Sequence, residues 1–93
     1  MQLKKLVELK SRFVAREVDN ELILVPLTNN VAQMSELFTL NETAKFIWEN
    51  ATDTMTIPEM EDLMTDTFNI DAATAGKDII AFLKNIENLL KKS

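Results

Sequence analysis

A single change of period constrains what this chain can fold into. Up to about Leu40 the apolar and β-branched residues cluster or alternate as they do in strands, and beyond it they recur every three or four residues as on a helix. A side chain reappears on the same face after about 2 residues in a strand and about 3.6 in a helix, so a segment patterned for one cannot bury its apolar set in the other. The order is therefore strands first, helices after. Phe13–Val18 and residues 21–27 read as two strands, joined by Asp19-Asn20, a pair that tolerates the positive φ of a two-residue hairpin turn. Asn29-Asn30 marks a second turn. Residues 34–40 then alternate Ser35, Leu37 and Thr39 with Met34, Glu36 and Phe38, which predicts a third strand.

Three helices are expected downstream. Asn41 can cap the first, whose stripe is Ala44, Ile47, Trp48 and Ala51, with Phe46 turned the other way onto a second buried face. Thr56 and Glu59 form a capping box for the second, Met55 and Met60 stand at hydrophobic-staple positions, and Pro58 falls in the first turn, where its missing N–H costs least. Ile57, Met60, Met64 and Phe68 form its apolar stripe, and Glu59, Asp62 and Asp66 collect opposite as a solvated face. Asp71 can cap the third helix, running from 72 to about 91 with Ile79, Phe82, Leu83, Ile86 and Leu90 inward. Residues 1–11 are expected to be extended or partly disordered, since one amphipathic turn around Leu3, Leu6 and Val7 is marginal in water. Residues 12–93 are then one α+β domain, a small antiparallel sheet followed by a helical layer.

Composition narrows function. The 93 residues include neither Cys nor His, which removes the strongest nucleophile, the commonest general base and the favoured transition-metal ligands. Asp62 and Asp66, four apart, offer too few oxygens for a hard cation. Gly76 stands alone and is no part of a phosphate-cradling loop. No enzyme, cofactor or metal is expected. A net charge of −5, from 15 acidic and 10 basic residues, repels nucleic acid and anionic lipid. No apolar run approaches the roughly 20 residues of a membrane helix, and Lys10 and Arg12 interrupt any export signal, so a cytoplasmic binder is expected.

Two features could make a binding surface. A three-stranded sheet has two edges, and an edge with unpaired N–H and C=O groups can accept a peptide as an added strand. On the last helix Ala73, Gly76, Lys77, Ile80 and Lys84 form a stripe beside the core face that either lines a groove or, through Ile80, widens the core.

The ordered set Phe13-Val14-Ala15-Arg16-Glu17-Val18, Val25-Pro26 and Leu40-Asn41-Glu42-Thr43 followed by Phe46-Ile47-Trp48, with Asp71, Asp78, Phe82 and Leu83 later, resembles PqqD-family proteins over about residues 12–90. These are also called RiPP recognition elements, modules that recognise ribosomally made, enzymatically modified peptides. Family members often carry Gly where this chain has Ala44, and a Gly-Leu near the C-terminus that is absent here. The resemblance implies a winged-helix-like fold of three strands and three helices. It also implies capture of a precursor's leader segment as an extra strand along Ser35, Glu36, Leu37, Phe38 and Thr39, facing Ala73, Gly76, Lys77, Ile80 and Lys84. Leu37 and Ile80 would take apolar leader side chains, and Lys77 and Lys84 would meet acidic ones. The partner would be a modifying enzyme, usually a radical SAM protein, and the module itself a monomer or weak homodimer. The competing expectation is a winged-helix DNA-binding transcriptional regulator, which net acidity opposes.

Overall fold

In the computed structural model, which describes residues 1–28, 31–32 and 37–92, the hairpin forms where the pattern placed it: β1 is Phe13–Val18 and β2 is Glu21–Thr28. Asp19 and Asn20 take φ of 51° and 69°, the two left-handed positions whose twist matches that of the flanking strands. The turn fixes the register from Val18↔Glu21 to Phe13↔Pro26. A two-residue β3, Val31–Ala32, pairs with the end of β2, and β4, Phe38–Leu40, pairs antiparallel with its start through Leu22↔Leu40, Ile23↔Thr39 and Leu24↔Phe38. Since β1 and β4 both pair with residues 22–24 of β2, they occupy its two opposite edges. Of the expected 34–40 strand, 38–40 is observed, and Ser35 and Glu36 lie outside the described residues.

α2 spans Glu42–Asn50, α3 Ile57–Phe68 and α4 Ala72–Lys92. Their starts are held by side chains satisfying the otherwise unpaired first-turn N–H groups. Asn41 Oδ1 accepts from the Ala44 N–H at 2.8 Å. In the capping box, Thr56 Oγ1 accepts from the Glu59 N–H at 3.2 Å and Glu59 Oε1 accepts from the Thr56 N–H at 3.0 Å. Asn69 stops α3 in a left-handed conformation, φ 54°. Asp71 Oδ1 accepts from the Thr74 N–H at 2.7 Å, and this hydrogen bond holds its carboxyl below the ordinary aspartate range. A lowered folded pKa contributes stability that is present above the unfolded value, about 3.9 for aspartate, and is lost as pH falls through the folded one. The urea midpoint is therefore expected to fall as pH drops below about 4, and to fall less in Asp71→Asn, which keeps the acceptor but cannot titrate.

One expectation is corrected. Residues 1–11 are not extended: Leu3–Leu9 form α1, followed by a 3₁₀ turn at Lys10–Arg12, so the described residues hold four α-helices rather than three. Leu3, Leu6 and Leu9, spaced by three, are all buried in the common core with Phe13, Leu24, Leu40, Ile47, Met60, Ile79 and Ile86. A seven-residue helix is marginal alone, but this one is held by tertiary burial of its leucine face. It lies away from β4: the Met1 ammonium is 3.4 Å from Glu87 in the last turns of α4, and Leu3 shares a hollow with Thr54 to Pro58. Trp48 is 7% exposed, meets Phe13 edge-on at 5.9 Å and carries the Lys10 ammonium 5.4 Å from its ring centre. Phe46 is half-buried on the second face of α2, edge-on to Phe68 at 5.2 Å.

A candidate peptide-binding cleft between the edge strand and the long helix

β4 has β2 on one side and, among the described residues, no strand on the other. Beside that free edge runs α4, and the space between them is a cleft of about 150 Å³. Phe38 and Thr39 form its strand wall, Asn41, Thr43 and Ala44 close one end, and Asp78, Ala81, Phe82 and Asn85 form its helix wall. The floor is apolar: Phe82 and Ala44 are buried and Phe38 is half-buried. Asn41 does double duty, since its Oδ1 caps α2 and also accepts from the Thr43 hydroxyl at 3.0 Å, which settles the polar groups at that end.

The helix wall differs from the expected stripe. Phe38 and Thr39 stand where the resemblance implied, and Leu37, 49% exposed, directly precedes β4. Ala73 and Lys77 are exposed and line no part of the cleft. Ile80 and Lys84 border a different hollow, with Met1, Leu83 and Glu87. Gly76 faces α3, where an added Cβ would lie 3.6 Å from the Glu61 carboxylate, an ordinary contact, so no close approach demands glycine there. The reason is rotational. At about 100° per residue, 78, 81, 82 and 85 lie on one flank of the buried stripe 75, 79, 82, 83 and 86, and 73, 76, 77, 80 and 84 lie on the other. A helical wheel locates the core face but does not say which flank turns towards the sheet. The missed set does carry a signal, an i, i+3, i+4, i+7 row of acid, small residue, aromatic and amide.

The electrostatics follow the same division. No Lys or Arg lines the cleft, nor the adjoining hollow at the C-terminal end of β4, which is bordered by Asp19, Glu21 and Glu42. Lys45 on α2 is engaged by Glu17 of β1, Nζ to Oε1 2.7 Å, and that hydrogen bond raises its pKa. Asp78 is half-buried, and its carboxylate has no hydrogen-bond or ion-pair partner among the described residues. Among those residues no group of three or more His, Cys, Asp or Glu is placed to hold a metal ion, and no helix is long and apolar enough to cross a membrane.

Among the described residues, an antiparallel sheet of three strands, β1, β2 and β4, with the two-residue β3 at the end of β2, packed with helices and leaving an edge strand beside a cleft, places this molecule among α+β proteins. A family model described as Coenzyme PQQ synthesis protein D (PqqD) matches residues 21–89, about three quarters of the chain, and the chain belongs to the PqqD family. Among solved structures, TbiB1 in complex with the TbiA(beta) leader peptide has a similar fold, with a TM-score of 0.65 and 22% sequence identity over 85% of this chain and 86% of that one. None of the curated proteins matches.

Proposed function

We propose that this protein captures the leader of a ribosomally made precursor peptide as an added strand on the free edge of β4, and presents it to a modifying enzyme of the radical SAM type or another kind. The observation that carries this reading is the juxtaposition itself: a strand that, among the described residues, is paired on one side alone, bordering an apolar-floored cleft whose other wall is a helix. Backbone pairing gives affinity to any extended segment, and the cleft beside it selects among side chains. Membership of the PqqD family supports the reading, as does a fold shared with a protein seen in complex with a leader peptide. The protein supplies no chemistry in this scheme. Its strands and its three C-terminal helices act as a winged-helix-like frame, with α1 added ahead of it.

The test uses synthetic peptides covering the N-terminal halves of the short open reading frames encoded beside the gene. The expected result is that one of them slows amide exchange at Phe38–Leu40 and shifts residues of α4 from Asp78 to Asn85. If none alters exchange there at saturating concentration, the cleft is not a leader site.

A further inference from the structure

The unpaired carboxylate in the cleft points to the chemistry of the segment it receives. We infer that the cleft selects a leader bearing a cationic side chain, Lys or Arg, at one fixed position, and that Asp78 is the residue that reads it. This rests on the peptide-capture reading above.

Desolvation sets the preference. A strand added to β4 covers the cleft and takes Asp78 further out of water; Phe82, Ala44 and Phe38 offer no donor, and the neutral donors of the lining, Thr39, Asn41, Thr43 and Asn85, make no hydrogen bond to it. A carboxylate buried without a partner is costly, whereas one that gains a charge-assisted hydrogen bond is not. No described residue of the cleft supplies that charge. The nearest flank of α2 has committed Lys45 to Glu17, and Lys77 and Lys84 stand on the opposite flank of α4. The partner therefore has to come from the peptide. A neutral donor could satisfy the hydrogen bond, but the surroundings favour a charge: Glu21, Glu42 and Asp19 border the next hollow along the strand, with no cation between them and Asp78. An acidic residue at that position of the leader would meet repulsion as well as desolvation. This inverts the expectation of acidic leader residues meeting Lys77 and Lys84, because the helix turns its other flank to the strand.

The experiment selects a displayed library of short random peptides on the full-length immobilised protein, then measures exchange at Phe38–Leu40 and affinity for the enriched sequences. Peptides that protect β4 are expected to share Lys or Arg at one position, and replacing it by Glu is expected to weaken binding by roughly tenfold or more. Asp78→Asn, nearly isosteric, should abolish the discrimination, and Asp78→Lys should reverse it. If either variant fails to fold, the Lys-to-Glu exchange on the peptide, with unaltered protein, carries the test alone. Peptides that protect β4 but share no cation, or that still discriminate against Glu in Asp78→Asn, overturn the inference and leave peptide capture standing. If no enriched peptide protects β4, peptide capture falls and this inference falls with it.

Discussion

Leu6→Ala is expected to lower the free energy of unfolding by about 2–5 kcal/mol, the range for emptying a fully buried leucine site. Leu6 has no exposed surface and sits between Leu3 and Leu9 on the face that docks α1 into the core. For a domain whose whole stability is of the order of 5–15 kcal/mol, that loss is a large share of what holds it folded. Urea unfolding gives the measurement. Lys4→Ala, on the exposed side of the same helix, should stay within about 0.5 kcal/mol of the parent. If Leu6→Ala behaved like Lys4→Ala, α1 would not be docked in solution, and the hollows it shares with α4 and with the α2–α3 link would not persist.

The second large effect concerns binding rather than stability. Ala81 is exposed and lines the cleft, so Ala81→Trp sets an indole where a bound strand's side chains would enter, without disturbing the buried stripe of α4. Affinity for a peptide that protects Phe38–Leu40 is expected to fall by roughly 30-fold or more, the scale of losing one central contact of about 2 kcal/mol. The control is one residue away. Ile80 is 61% exposed but borders the hollow with Met1 and Lys84, so Ile80→Trp should leave that affinity unchanged. Fluorescence anisotropy of a labelled peptide reads both. The reverse pattern, with Ile80→Trp blocking and Ala81→Trp neutral, would move the site to the flank expected from the wheel.

That pair of variants marks where sequence reading stops. The hairpin, its turn and the starts of α2, α3 and α4 were legible because each is decided locally: Asp19-Asn20 by tolerance of positive φ, and Asn41, Thr56 and Asp71 by a side-chain oxygen within reach of an unpaired N–H. Phe38 and Thr39 were legible as strand residues from their alternation. α1 was not, because seven residues do not form a helix on their own account and the burial that fixes Leu3, Leu6 and Leu9 comes in part from elements far along the chain, such as those carrying Ile47 and Ile79. Nor was the helix wall of the cleft, since the rotation of α4 about its axis is set by how Ile79, Phe82 and Ile86 seat in the common core with α2 and α3. Asp78 was visible as a family-like residue, but its lack of a side-chain partner among the described residues is a tertiary fact.

The edge-on contact of Phe13 with Trp48 beneath Lys10 has a practical consequence. The chain holds no other Trp and no Tyr, so its tryptophan emission comes from one ring, wedged where the 3₁₀ turn, the first strand and the last turn of α2 converge. Detachment of the N-terminal segment would strip the cation and one wall from that ring and redden its spectrum, whereas occupation of the strand edge on the far side of Ala44 would leave it nearly unchanged. The molecule thus carries its own optical gauge, one that separates loosening of the frame from filling of the site.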